Sequence, residues 1–214
     1  MLQSIRGNDM KACIKFYAVL GAVCLLCACA AQTAQSVPLA VQQQVVTAWA
    51  QALTLGQRNA ADLRQKAAQE KEKEILRSAV QQGKSYGTVC IENTEVNCAV
   101  YWGDTQDILE LGAGTHIEGG KLPGQSGTVL IGGHTGACFY GLRTVQLGSR
   151  IHIDTPWGKY VYEVTEMCRV QETDWQASRL DSPTELCVLY TCYPFGQLTP
   201  TEYRWMIYAV PVQA

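Results

Sequence analysis

The segment VLYTCYPFG, residues 188–196, runs an apolar, strand-like stretch into a single cysteine. Valine, leucine, tyrosine and threonine favour an extended backbone, and Pro194 breaks the run soon after Cys192. Side chains alternate between the two faces of a strand, so Tyr190 and Cys192 are expected on one face and Thr191 on the other. A thiol at such a strand end is either a packed core atom or a nucleophile, and the surrounding sequence has to decide between the two.

Segments of the same kind recur through the C-terminal part of the chain. From about Tyr86 onward, short runs rich in Val, Ile, Tyr and Thr are separated by Gly, Pro, Asp and Ser. The runs are GTVCIE, VNCAVYWG, GTVLIGGH, SRIHID, KYVYEVTEMCRV, ELCVLYTC and RWMIYAVPV. Seven or eight short strands in roughly 130 residues leave no room for crossover helices. The sequence therefore predicts a mostly β fold that forms a closed or nearly closed barrel of the antiparallel type.

Two further strands carry chemical groups near their ends. His134 stands where the strand TVLIGGH runs out, and Arg204 stands at the start of RWMIY. Strand ends of a barrel meet around a rim, where catalytic groups gather. If His134, Cys192 and Arg204 meet there, the thiol can attack a carbonyl, the imidazole can transfer protons and the guanidinium can donate to an oxyanion. Such an acyl-transfer site needs no metal.

Composition narrows the classes of function. The chain has 214 residues, 47% of them apolar, and a formal net charge of -2, so no basic surface for nucleic acid is predicted. It has 10 cysteines and 3 histidines, without the spacing of a structural zinc site. Apart from Cys192, the cysteines after residue 86 are expected to be small buried residues or disulfide-bonded, and Cys90 and Cys98 can pair if their strands are neighbours. His116 and His152 are expected to be solvated or bonded to the backbone.

The N-terminal segment indicates the compartment. Residues 16–31, FYAVLGAVCLLCACAA, carry no charge and follow three basic residues. Extended back to Ala12, with the Lys15 ammonium reaching toward the interface, this segment just attains the length of about 20 residues that spans a bilayer. Residues 1–31 are therefore predicted to be a cytoplasmic tail and a single membrane anchor, with the remainder outside. A cleaved signal peptide and a lipoprotein signal are open alternatives, and both also place the working domain outside the membrane.

A helical region is predicted between the membrane and the barrel. Residues 32–85 are predicted to form a helical stalk, and residues 86–214 the β-barrel. Gly56 and Asn59 interrupt the helical pattern, which predicts two helices, the second of which ends at Gly83. The KEKE stretch in the second helix is predicted to be a solvated face.

The cysteine segment resembles the T-L-x-T-C active-site strand of sortases, cysteine transpeptidases on the outer membrane face of Gram-positive bacteria. Val188 stands where the family usually has threonine, and the leucine, threonine and cysteine match. The stretch LPGQSGTVLIGGHTGACFYGLRTVQLGSRIHI is similar to the family's histidine segment, with His134 in the catalytic position. Arg204 matches the arginine on the strand after the cysteine. The resemblance runs from about residue 87 to 212 and contains three motifs in the family's order.

The resemblance implies an eight-stranded sortase-type β-barrel with a Cys–His–Arg site. Cys192 would attack an LPxTG-like C-terminal sorting signal of a surface protein and form a thioester. His134 would protonate the leaving amine, and Arg204 would hold the substrate or its oxyanion. An amine from a peptidoglycan cross-bridge, or from a pilin lysine, would resolve the acyl-enzyme. The resemblance implies no cofactor; some relatives are stimulated by calcium, but the two acids in the corresponding loop, Glu172 and Asp174, do not define a site.

The resemblance also bears on subclass and location. TCYPFG is most similar to class D sortases or an allied class. The connection from Val170 to Leu186 is too short for the class B insertion, and residues 32–95 contain no class C lid motif. A single-pass membrane protein with an extracellular catalytic domain is implied. Two other functions stay open: a non-catalytic extracellular β-domain for adhesion or scaffolding, and an L,D-transpeptidase-like peptidoglycan cross-linking enzyme. The latter has glycine before its cysteine, where this chain has Thr191.

Overall fold

The computed structural model describes residues 38–197, 199 and 201–212. The predicted membrane anchor and the start of the predicted stalk lie outside these residues. Within the described residues, none of the helices combines the length and the apolar character needed to cross a membrane. The residues that the structure describes divide into two compact units, with the boundary between Gln65 and Lys66.

One continuous helix, α1, spans Leu39–Ser78. The prediction of two helices separated near Gly56 and Asn59 is therefore wrong. A glycine inside a helix costs only about 1 kcal/mol relative to alanine, and no neighbouring group lies within 4 Å of where a Cβ on Gly56 would be. The surrounding Ala, Leu, Gln and Arg residues are strong helix formers and continue the helix through it. The KEKE stretch, residues 71–74, is exposed or half-exposed, as predicted.

Eight strands follow and close into a barrel. They are β1 (Ser85–Ile91), β2 (Asn97–Trp102), β3 (Ala113–Thr115), β4 (Thr128–Gly132), β5 (Arg150–Thr155), β6 (Gly158–Gln171), β7 (Leu186–Tyr193) and β8 (Tyr203–Pro211). Around the barrel their order is β1-β2-β3-β4-β7-β8-β6-β5. The predicted mostly β, closed eight-stranded barrel is confirmed.

Two features of the barrel differ from the predicted antiparallel type. The pairs β2–β3 and β4–β7 are parallel, and a short helix, α2 (Gln106–Leu111), lies between β2 and β3. Parallel neighbours need a connection that crosses back over the sheet. Helix α2 supplies it for the first pair, and β5, β6 and their loops intervene for the second. Strand β3 has no clear signal in the sequence, because two of its three residues, Ala113 and Gly114, have low β propensity.

Period-two alternation assigns the faces of β4, β7 and β8 correctly. Cys187, Leu189 and Ile207 belong to the main core inside the barrel. The opposite, outer face carries a second, smaller apolar cluster, made of Leu130, Val188, Met206 and Tyr208. Two residues of the β6–β7 connection, Ala177 and Leu180, pack against this cluster. The outer face is therefore partly covered, and the predicted site residues belong to it.

Arg77, in the last turn of α1, is the charged residue that binds this turn to the barrel. Its side chain is buried and donates hydrogen bonds to the carboxylates of Glu70 and Glu74. It also donates to the Gly124 carbonyl at 3.5 Å and the Tyr160 hydroxyl at 3.3 Å. A buried guanidinium needs these hydrogen bonds, because a charged group removed from water without partners costs its full desolvation free energy.

We expect Arg77→Ala to lower the free energy of unfolding by about 1–3 kcal/mol, because it leaves two partly buried acceptors on the barrel without their donor. Urea denaturation followed by tryptophan fluorescence measures this change. Arg64→Ala, at an exposed position of the same helix, is the control and should change the value by about 0.5 kcal/mol or less. Equal effects of the two substitutions would contradict the structural role of Arg77.

Candidate active site

Cys192 lies one residue before the end of β7 and is half-buried. In the antiparallel pairing of β7 with β8, it is directly opposite Arg204. Side chains of directly opposed residues share a face, with Cβ atoms about 4.5–5.5 Å apart. The structure therefore brings the predicted thiol and the predicted guanidinium together on the outer face of the barrel.

His134 reaches the same level from the other side of β7. Strands β4 and β7 are parallel neighbours, with Gly132 paired to Tyr190. The pairing continues one step further, because the Gly133 N–H donates to the Tyr190 carbonyl at 3.2 Å. His134 and Cys192 lie two residues beyond the Gly132–Tyr190 pair, and paired strands are about 4.8 Å apart. Cys192 on β7 is thus flanked by Arg204 on β8 and by His134, which follows the end of β4.

Backbone hydrogen bonds and packing against a buried ring fix the turn that carries His134. The backbone N–H groups of Ala137 and Phe139 both donate to the His134 carbonyl, at 3.1 and 3.2 Å. The ring of Phe139 is fully buried and lies against Gly133, where a Cβ would come within 2.7 Å of it. The Thr191 hydroxyl donates to the Gly133 carbonyl at 2.7 Å. Thr191, the residue before the cysteine, therefore ties β7 to the histidine turn.

Gln106, the first residue of α2, contacts the histidine and was not singled out from the sequence. Its Nε2 atom lies 3.3 Å from Nε2 of His134. Gln106 therefore holds the imidazole ring at its Nε2 side. A polar residue at the start of a short helix carries no signal of such a contact in the sequence.

Arg204 is held by several acceptors. One terminal nitrogen donates to the carbonyl and hydroxyl of Thr201, at 2.8 and 3.3 Å, and to the Tyr203 carbonyl at 3.0 Å. The other donates to the carboxylate of Glu172 at 2.6 Å. The planar guanidinium is thus fixed in orientation. Glu172, considered above for calcium, is engaged with this arginine, and no cluster of three or more metal-ligating acids, histidines or cysteines occurs in the described part of the chain.

A cleft of about 410 Å³ opens on the outer face beside Arg204. Leu130, Tyr190 and Met206 from β4, β7 and β8 line it, and residues 171–175 of the β6–β7 connection line it from another side. Burial raises the pKa of Tyr190 to about 12, so its phenol is neutral at physiological pH. The cleft therefore combines apolar side chains from β4, β7 and β8 with charged side chains, among them Arg204 and Glu172.

A histidine–carboxylate pair also lines this cleft. Nδ1 of His116 lies 2.7 Å from the carboxylate of Asp104, and both residues line the cleft. His152, outside the cleft, lies 2.7 Å from the carboxylate of Glu92. For His116 the expectation of a solvated or backbone-bonded side chain is wrong, because its partner is a carboxylate. The side chain of His152 is 32% exposed, as expected for a solvated residue, and it also has a carboxylate partner. Sequence spacing reveals neither carboxylate.

Comparison with known proteins gives matches to the barrel part of the chain. A family model described as "Sortase domain" matches residues 89–212. Over 126 residues, the chain is 25% identical to Sortase D of Bacillus subtilis (strain 168), a match covering 59% of this chain and 63% of that protein. The chain thus matches less than two thirds of the length of this relative.

Solved structures share the barrel. A sortase D5 transpeptidase from Clostridium perfringens superimposes with a TM-score of 0.57 at 24% identity, over 67% of this chain and 89% of that one. A Clostridium perfringens sortase C, solved with the C-terminal cell wall sorting motif, gives a TM-score of 0.57 at 20% identity, over 68% of this chain and 86% of that one. At these identities the likeness concerns the fold.

We expect Cys192 to be the cysteine after residue 86 that alkylates fastest at neutral pH, because it is partly exposed next to a guanidinium and an imidazole. Cys187 is expected to react slowly, because its pKa is raised, mainly by burial and to a smaller extent by the nearby Glu185 carboxylate. Brief treatment of the full chain with iodoacetamide, followed by peptide mapping, measures the site of modification. The control variant Cys168→Ala should keep the fast alkylation. Fast alkylation that persists in Cys192→Ala would contradict the assignment.

Proposed function

The chain belongs to the sortase family, and from this premise we propose that it is a cysteine transpeptidase that cleaves a C-terminal sorting signal and transfers the protein to an amine. The observation that carries the proposal is the register of β4, β7 and β8, which favours joint action of His134, Cys192 and Arg204. The family match over residues 89–212 supports the activity. The likeness of the cysteine segment to class D agrees with the matched sortase D.

The first half-reaction forms a thioester. The Cys192 sulfur attacks the carbonyl carbon of the scissile peptide bond, and the C–N bond breaks as the C–S bond forms. His134 takes the proton of the Cys192 thiol and gives it to the departing amine. Arg204, whose charge does not change near neutral pH, donates a hydrogen bond to the oxyanion that forms on the carbonyl oxygen.

The second half-reaction reverses these roles. An incoming amine attacks the thioester carbonyl, the C–S bond breaks and a new amide bond forms. His134 accepts the proton that the amine loses, and the Cys192 thiol is regenerated. Arg204 stabilises the oxyanion again, as it did in the first half-reaction. All of the proton and acyl transfers are thus assigned to side chains of the chain itself.

The substrate we propose is an LPxTG-like sorting signal of a surface protein. The cleft beside Arg204 has a volume within the range of about 300–1,000 Å³ that is usual for ligand sites, and its lining by Leu130 and Met206 suits aliphatic side chains of a peptide. The acceptor is an amine of a peptidoglycan cross-bridge or of a pilin lysine. We also propose that residues 1–31 anchor the chain in the cell membrane and that the barrel acts outside it.

Substitution of the three site residues tests the activity. We expect Cys192→Ala to abolish cleavage of an LPxTG peptide, His134→Ala to lower kcat by about 10²–10⁴-fold, and Arg204→Ala to lower it by about 10²–10³-fold. A quenched fluorescent peptide with an added amine measures cleavage and transfer together. Cys90→Ala, on strand β1 and not adjacent to β4, β7 or β8, should retain full activity. Full turnover by Cys192→Ala would overturn the proposal.

The ion pair of Arg204 with Glu172 gives a second test. We expect Glu172→Gln to lower kcat/KM by about 10-fold, because a charge-assisted hydrogen bond that orients the guanidinium becomes a neutral one. The same peptide assay provides the measurement. Glu202→Gln, an exposed glutamate of the β7–β8 connection, is the matched control and should leave kcat/KM unchanged. Equal rates for Glu172→Gln and the unmodified chain would refute this role for the ion pair.

A further inference from the structure

Cys98 and Cys90 lie on adjacent strands but face opposite sides of the barrel wall. In the pairing of β1 with β2, Cys98 is opposite Val89, which is fully buried in the main core, and Cys90 is opposite Asn97. On its other side Cys90 is paired with His152 of β5. Opposed residues share a face and consecutive residues do not. The register therefore excludes the Cys90–Cys98 pairing that adjacent strands alone would allow.

Cys138 faces the interior from the turn that follows His134. Its sulfur would lie 3.1 Å from a Cβ placed on Gly133. The neighbouring Phe139 is fully buried. Cys138 and Cys98 both pack, partly buried, against the same core cluster inside the barrel. Two cysteines 40 positions apart in sequence are thus directed into one region of the interior, from β2 and from the histidine turn.

The two sulfurs are close enough to influence each other. A hydrogen bond from the Cys138 thiol lowers the pKa of Cys98; burial opposes this, and the Ala113 backbone amide adds to the lowering. The same contact with Cys98, together with burial, raises the pKa of Cys138. Of the two thiols, Cys98 therefore loses its proton more readily than Cys138. An attacking thiolate with a second thiol beside it is the arrangement that thiol–disulfide exchange requires.

From this geometry we infer that Cys98 and Cys138 are the two ends of a disulfide bond, formed by exchange with a low-molecular-weight disulfide. The Cys98 thiolate attacks the reagent, forming a mixed disulfide and releasing one reagent thiol. Cys138 loses its proton and attacks the Cys98 sulfur of the mixed disulfide, releasing the second reagent thiol. The protein loses two hydrogens and two electrons, and the reagent disulfide is reduced to two thiols.

The bond fastens the histidine turn to the barrel wall. It closes a loop from β2 to the turn after His134, and this loop contains α2 with Gln106, the residue in contact with the imidazole. Closing such a loop restricts the unfolded chain. The inference stands on the strand register and the shared interior position, so it does not depend on the proposed transpeptidase activity. Extracellular proteins are those in which disulfides persist, which agrees with the proposed location.

Mapping of the oxidised full chain tests the inference. A Cys192→Ala background removes the reactive thiol of the candidate site. The protein is incubated with oxidised glutathione, denatured, alkylated with N-ethylmaleimide and digested with trypsin and a glutamate-specific protease. The relevant cleavage sites are Glu95, Glu110, Lys121 and Arg143. They give one fragment with Cys98 and another with Cys138, each without a second cysteine, and they separate Cys98 from Cys90.

The expected result is a linked pair of these fragments, lighter by two hydrogens than their sum and separated by reduction. In the same background, Cys98→Ser should leave Cys138 alkylated, whereas Cys90→Ser should keep the link. Oxidation should raise the melting temperature by about 5–10 °C, an increase that Cys98→Ser removes. Alkylation of both cysteines after oxidation, or a link between Cys90 and either of them, would overturn the inference. Cleavage of the LPxTG peptide, measured separately with Cys192 intact, tests the transpeptidase activity independently.

Discussion

The parallel pairing of β4 with β7 is the constraint on which the candidate site depends. Five register pairs join these strands, from Thr128 with Leu186 to Gly132 with Tyr190. The strands are more than 50 residues apart in sequence, so this contact is made only when the barrel closes. A shift of one residue would turn every side chain of one strand to the other face. It would send either the imidazole or the thiol into the core.

Two glycines let β4 fit this register. At Gly132, a Cβ would come within 2.5 Å of the Tyr190 ring, and at Gly133 it would meet the ring of Phe139. The aromatic rings cover the backbone of β4 on both faces of the wall. Close packing leaves no room for a methyl group at either position without displacement of a buried ring. Because Gly132 and Gly133 have no side chains, the rings of Tyr190 and Phe139 can pack directly against the backbone before His134. This packing fixes the position of the histidine.

The sequence predicts those parts of the structure that depend on local pattern. Alternation in β7 separates Cys192 from Thr191, and Pro194 follows the end of the strand at Tyr193, as found. Side-chain partners from distant segments leave no such pattern. Glu172 meets Arg204, and Asp104 meets His116, only through the folded barrel. Helix α1 shows the converse, because the good helix formers around Gly56 outweigh the weak local signal for a break at that glycine. Propensity is a sum over a window, and one residue does not decide it.

The contact between Arg204 and Glu172 differs in kind from the other bonds of the guanidinium. Its partners Thr201 and Tyr203 are neutral groups close in sequence, whereas Glu172 is a half-exposed carboxylate on the β6–β7 connection. Dissolved ions weaken the attraction between exposed charges, with a screening length of about 8 Å at physiological ionic strength. Hydrogen bonds to neutral groups are hardly affected. Rising salt therefore loosens the hold of the β6–β7 connection on the guanidinium while the arginine keeps its place on β8. The ionic composition of the surrounding medium thus acts on one wall of the cleft.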